Sequence, residues 1–147
     1  MTKPTSKADS ANAPSIYDQY ENDDELEIGG IWLNYGKAGR IRVARAGGSN
    51  HVFKKALEKA TRPHRRQINA GNAAEDLMNE LLVQVFAQCI ILDWENIRGR
   101  DKVLMPFSKE NVVKLFTDLP DLFIDVREAA MQAANFQRAN DEDDSKN

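Results

Sequence analysis

The sequence predicts an α+β fold that is mainly α: an N-terminal β-hairpin followed by a bundle of about four helices, with disordered N- and C-terminal tails. Three observations carry this reading. Alternation of apolar and charged residues is confined to 26–46; apolar residues recur at steps of three and four through 49–138; and residues 1–25 and 139–147 hold few large apolar groups. At 147 residues, with 41% hydrophobic and 29% charged residues, the chain has the material for one globular domain over 26–138 and not for two.

The tail over 1–25 is rich in Ser, Asn, Asp and Ala, too little apolar surface to offset the entropy of ordering. The hairpin follows over 26–46. Ile28, Ile31, Trp32, Leu33 and Tyr35 form its first strand, Gly36-Lys37-Ala38-Gly39 its turn, and Ile41 and Val43 alternate with Arg40 and Arg42 in its second. Gly29-Gly30 reads as a bulge that re-aims Trp32. Gly47-Gly48-Ser49-Asn50 then caps a helix whose apolar face is Val52, Phe53, Ala56, Leu57 and Ala60, whose polar face carries Lys54, Lys55, Lys59 and Arg62, and which Pro63 stops.

A second helix begins near Asn72 with Glu75 and Asp76 in its first turn and runs through Leu77, Met78, Leu81, Leu82, Val85, Phe86 and Cys89. Val83, Ala87 and Ile90 make it apolar nearly all round, as a central core helix is. A loop over 93–101 leads to Pro106-Phe107-Ser108, where Ser108 caps a third helix containing Val112, Val113, Leu115 and Phe116. Pro120 opens the last helix, whose Leu119, Leu122, Val126, Ala129, Ala133 and Phe136 form a narrow seam suited to another helix, and whose alanines permit close approach within the chain or between chains. Asp141 to Asp144 are all acidic, and this end reads as a second disordered tail.

The net charge of -3 conceals a segregation. Residues 1–36 hold two Lys against seven acids, 37–66 hold ten Lys or Arg against Glu58 alone, and 67–147 hold eight basic residues against fifteen acids, so the blocks carry -5, +9 and -7. A basic centre of that size can neutralise phosphates. Base-stacking aromatics are sparse in it, and the acidic flanks can neutralise it internally, so an acidic protein partner or an oligomer contact is the preferred reading, nucleic acid is disfavoured, and a merely solvated face stays open.

Chemistry is harder to find. The N-terminus has no apolar stretch of signal-peptide type, and the longest apolar run, 81–92, is broken by two Gln and too short for a membrane span, so a cytoplasmic protein is expected. Cys89 is the only cysteine, which excludes an intrachain disulfide and reads as a small helix hydrophobe. His51 and His64 sit among cations, an environment hostile to a metal ion. Asp93, Glu95 and Asp101 share their loop with Arg98, Arg100 and Lys102, and solvated charge pairs are the expected outcome. No nucleophile elbow, zinc-binding His pair, phosphate loop or dinucleotide fingerprint occurs. The loop Gly47-Gly48-Ser49-Asn50 could hold an anion on backbone N–H groups, although most such loops only cap. Trp94 and Phe107 read as core residues, with an aromatic anchor in a partner groove as the alternative. We expect no catalytic residue, no cofactor and no metal, hence no enzyme.

Several segments, in order, carry a family likeness: Ile31-Trp32-Leu33-Asn34-Tyr35, Ile41-Arg42-Val43-Ala44-Arg45-Ala46-Gly47-Gly48, Asp93-Trp94-Glu95-Asn96-Ile97, Pro106-Phe107-Ser108-Lys109-Glu110-Asn111, Lys114-Leu115-Phe116 and Leu119-Pro120-Asp121-Leu122-Phe123. Together, over roughly 28–136, they resemble the tail assembly chaperones of long-tailed, siphovirus-type bacteriophages. The resemblance implies a non-enzymatic protein of the host cell cytoplasm, absent from the mature virion, that coats the tape measure protein, keeps it soluble and helps recruit tail tube protein. It also implies a longer, frameshifted form of the chain as a further partner. The client groove is expected to involve Phe116, Leu119, Leu122, Phe123 and Val126. The basic face of Lys54, Lys55, Lys59 and Arg62 would meet acidic segments of a partner or, by self-association, another copy. The alternative is a small nucleic-acid-binding regulatory protein that uses the basic 37–66 block.

Overall fold

The computed structural model describes residues 13–71 and 74–137. Two short helices, α1 (Ile16–Tyr20) and α2 (Asp24–Gly29), precede the strands β1 (Ile31–Asn34) and β2 (Arg40–Val43). Helices α3 (His51–Thr61), α4 (Arg65–Ala70) and α5 (Ala74–Val85) follow, then β3 (Ile91–Glu95), α6 (Lys109–Asp118) and α7 (Pro120–Met131). The fold is therefore α+β and mainly α, with a small antiparallel sheet in the order β1-β2-β3.

Local sequence explains most boundaries. Ser15 and Asp18 form a reciprocal capping box on α1, Asp23 accepts the first free N–H groups of α2, and Ser108 Oγ accepts the Asn111 N–H at 3.1 Å to start α6. The hairpin turn is a tight 3-10 turn over Gly36–Ala38 that closes at Gly39, where φ is +111°. Only glycine fits there, because a Cβ would stand 2.5 Å from the Glu95 carbonyl oxygen on the neighbouring strand.

Strand alternation places Ile31, Leu33, Ile41, Val43, Ile91 and Trp94 toward the helices, while Trp32, Asn34, Arg40, Arg42, Asp93 and Glu95 share register positions on the outer face. The Arg40 guanidinium lies 3.9 Å from the Trp32 ring centre and its Nε is 2.7 Å from Glu95. Beneath the sheet an aromatic chain fills the core. Phe53 meets Phe86 edge-on at 5.7 Å, Phe86 meets Phe123 edge-on at 5.3 Å, and Phe123 lies 5.2 Å from Phe116. Trp94 is buried and donates its indole N–H to Met105 at 2.9 Å, while half-buried Phe107 packs edge-on against it, so the core reading holds for Trp94.

The structure corrects several expectations. The central helix does not keep its regular period through Cys89 and Ile90: after Val85 the chain takes a π turn over Phe86–Ile90 and enters β3, which pairs with β2 through Arg40↔Glu95, Ile41↔Trp94 and Arg42↔Asp93. What reads as a loop from Asp93 is thus a strand, followed by a small loop hairpin in which Arg98 bridges Leu104 and Asp101 Oδ1 accepts the Val103 N–H. Gly29-Gly30 is no bulge. Gly29 ends α2 and Gly30, at φ +85°, donates to the Leu26 carbonyl as the helix stop; the register irregularity lies instead at Arg42/Val43.

Within the stretch read as an N-terminal tail, α1 and the start of α2 are helical, and the Asp23 N–H donates to Phe136 at 3.0 Å. The last helix ends at Met131, and Ala133–Phe136 form a separate 3-10 turn that seats buried Phe136. Its packing seam is shifted accordingly: Ala130 is buried and its carbonyl accepts the Ala46 N–H at 2.9 Å, so the small residues serve close approach within the chain. Residues 1–12 and 138–147, the bulk of the two tails, and Asn72, the expected helix start, lie outside the described residues.

Candidate partner-binding site

Phe116, Phe123 and Val126 are 1%, 3% and 0% exposed, so most of the expected client groove is core. Leu122 is half-buried against that core, and Leu119 is exposed. The seam is a packing surface within the chain: Phe123 meets Phe86 of the π turn at 5.3 Å and Phe116 of α6 at 5.2 Å. Phe116 and Phe123 come to light only as the floor of a hollow of about 570 Å³ between α5, α6 and α7. Leu77 and Leu81 of α5, Val113 of α6, and Pro120 and Ile124 of α7 form its walls, with His64, Glu80 and Thr117 at the rim. Ile124 is 42% exposed beside it.

A second groove, of about 640 Å³, lies between the 97–105 loop and α6. Leu104, Leu115 and Leu119 line it; Arg98, Arg100 and Lys114 alternate with Asp101 and Asp118 at its edge. Lys114 and Arg100 both face Asp118, at 2.7 and 3.6 Å, and hold that carboxyl below the usual carboxylate value through the Lys114 hydrogen bond foremost. Of the acids of 93–101, Glu95 pairs with Arg40 of β2, while Asp93 and Asp101 accept the nearby backbone N–H groups of Trp94 and Val103.

The Gly47-Gly48-Ser49-Asn50 loop does hold an anion, and it is the protein's own. Glu27 of α2 is fully buried; its Oε2 accepts the Ser49 N–H at 2.7 Å and the Ser49 hydroxyl, and its Oε1 pairs with Arg45. Burial pushes the carboxyl up, but the Ser49 hydrogen bonds and Arg45 outweigh it and hold Glu27 below its ordinary value. Asn50, at the start of α3, departs from the expected cap: its side chain donates to the Arg45 carbonyl at 2.9 Å and makes no capping hydrogen bond to the first turn.

Lys54, Lys55, Lys59 and Arg62 are exposed, as the helical pattern requires, and His51 is exposed beside them. Cys89 is half-buried with its thiol donating to Val85, and burial raises its pKa against the opposing pull of Lys109. Among the described residues no three His, Cys, Asp or Glu side chains gather where they could hold a metal ion, and no helix is long and apolar enough to cross a membrane.

Sequence reasoning missed the α5 wall of the hollow, because Leu77 and Leu81 read simply as one stripe of an all-round apolar helix. It also missed Ile124, which lies one step off the Leu122–Val126 seam; an apolar residue outside the packing period is the signal that could have found it.

A family model described as YdaY prophage protein matches residues 48–147. No curated protein and no solved structure matches the chain.

Proposed function

The chain belongs to the YdaY prophage protein family and so is phage-derived, and from that premise we propose that it is a non-enzymatic tail assembly chaperone that binds the tape measure protein in the host cell cytoplasm. One observation carries the reading: the apolar hollow between α5, α6 and α7, walled by Leu77, Leu81, Val113 and Ile124 and floored by Phe116 and Phe123. A groove formed by three helices takes the apolar face of a fourth, with anchors spaced three and four residues apart. A tape measure is a long chain of such helical stretches, which aggregate when uncovered.

The ordered sequence likeness to tail assembly chaperones supports the same reading. In it, repeated weak contacts along one extended client gain by avidity, coated client is kept soluble, and tail tube protein is recruited around it. In the same reading a longer, frameshifted form of the chain is a further partner. Neither form enters the mature virion.

Co-expression with the tape measure protein tests this. Soluble tape measure should co-purify with the wild-type chain, and Ile124→Glu, an exposed change at the groove wall, should cut the recovered complex at least about tenfold with the fold intact. Tape measure equally soluble without the chain would overturn the proposal.

A further inference from the structure

The basic block separates, on folding, into two sets of cations. Arg40 and Arg45 are engaged with Glu95 and Glu27, and Arg42 stands with Arg40 near the Trp32 ring. Lys54, Lys55, Lys59, Arg62, Arg65 and Arg66, on α3, the following turn and α4, are all exposed, and none forms an ion pair among the described residues. The internal neutralisation expected from the acidic flanks therefore reaches the sheet and leaves the helices charged.

Geometry concentrates that charge. At about 100° per residue, Lys54, Lys55, Lys59 and Arg62 fall within an arc of roughly 140° centred opposite Phe53, Ala56, Leu57 and Ala60, the residues that pack on the core. Lys55, Lys59 and Arg62 follow one another at steps of about 6 and 4.5 Å along the axis. Glu58 is the only acid from His51 to Gly71 and lies on the same arc; six cations against one acid leave this run at +5.

We propose that this α3–α4 face binds the phosphate backbone of nucleic acid without reading its sequence. Its composition distinguishes that ligand from an acidic protein. Protein interfaces centre on buried aromatic or aliphatic anchors and are poor in Lys, whereas the exposed arc holds three Lys, one Arg, His51 and Glu58 and no Phe, Tyr or Trp, with Val52 only at its margin. Nucleic-acid interfaces are strongly positive and polar, and their affinity comes from released counterions. Several cations at phosphate-like spacing on a rigid helix suit that partner. The arc's one exposed ring, His51, stands among the cations without a second ring to form a stacking platform, which fits backbone contact without base readout.

Fluorescence anisotropy with labelled duplex and single-stranded oligonucleotides of random sequence provides the test, across salt from about 20 to 200 mM. The wild-type chain should bind with log K falling against log salt at a slope near -5 for duplex, as five or six phosphate contacts demand, and less steeply for single strands. The triple variant Lys55→Glu/Lys59→Glu/Arg62→Glu should lower affinity at least about 30-fold and flatten the slope by about three. Its circular dichroism should match wild type, since all three side chains are exposed. Lys109→Glu, a cation elsewhere on the surface, should change nothing, and Ile124→Glu should leave binding intact, which separates this proposal from the client groove. No binding to either oligonucleotide at the lowest salt would overturn it, as would a triple variant that binds like wild type. Polyglutamate captured where DNA is not would overturn it in favour of an acidic protein.

Discussion

Replacing Glu27 by Gln removes one charge and almost no volume, so it isolates the electrostatics of the one buried carboxylate among the described residues. Glu27 has no exposure, and Arg45 opposite it is only 13% exposed with its Nε already lacking a partner. Removing one member of a buried pair costs about 3–5 kcal/mol, because the survivor keeps its desolvation penalty. The Gln carbonyl can still accept one Ser49 hydrogen bond, worth about 1 kcal/mol, which leaves a loss of about 2–4 kcal/mol. For a chain of this length that lowers Tm on the order of 10 °C.

Acid supplies a second readout. Because the folded carboxyl sits below its ordinary value of 4.5, the unfolded chain binds more protons on acidification, and the stabilisation is complete above that value and lost as pH falls through the folded one. The Tm gap between wild type and Glu27→Gln should be full at neutral pH and close progressively below pH about 4.5. Adding Arg45→Met to the variant should restore part of the loss, since it removes the stranded cation. A Tm drop under about 3 °C, with a gap that ignores pH, would refute the claim that this network contributes net stability.

Gly39→Ala should cost at least about 2 kcal/mol in denaturant titration, from a strained φ and a Cβ driven against the Glu95 carbonyl. Phe86→Ala, at the junction of two edge-on ring contacts, should cost about 3–5 kcal/mol by the same measure. Ser108→Ala should cost about 1 kcal/mol by removing the α6 cap. Tyr35 donates to Asp125 at 2.8 Å, and burial followed by that carboxylate raises its phenol above the ordinary value of 10.0, so ultraviolet titration should show one tyrosine ionising late, and Tyr35→Phe should abolish that component.

What could be read from the sequence follows from what is local. The hairpin turn is written in Gly36 and Gly39, the α6 start in Ser108, and the solvent exposure of Lys54, Lys55 and Lys59 in their position opposite Phe53 and Ala56. β3 was hidden because Cys89-Ile90-Ile91-Leu92 completes a helical pattern with no glycine or proline to break it, and the π turn absorbs the change of period without a sequence marker. Its pairing partner lies far away in the chain, where no window of periodicity reaches. The client groove failed for a related reason. An apolar stripe such as Phe116, Leu119, Phe123 and Val126 states that something must cover it, and a covering helix from the same chain satisfies the pattern as well as a partner does. Glu27 was indistinguishable from Asp24 and Glu25, since only the docking of α2 against the loop at Ser49 decides which carboxylate is enclosed.

The sheet also has a history built into it. β1 and β2 meet across a three-residue turn, so that ribbon can close within microseconds, early and at little cost in chain entropy. β3 is different: Arg40 must find Glu95, 55 positions further along, after α3, α4 and α5 have been threaded between them. Loops of that length close late, and they lower folding rates through contact order. Until then the apolar side of β2 and the strand-forming run 91–95 are both unpaired, open to the equivalent strands of other chains. The third strand thus sets the interval in which this protein is itself most exposed to misassembly; a weakened β2–β3 register should prolong it, and burst expression should raise the number of encounters between chains within it.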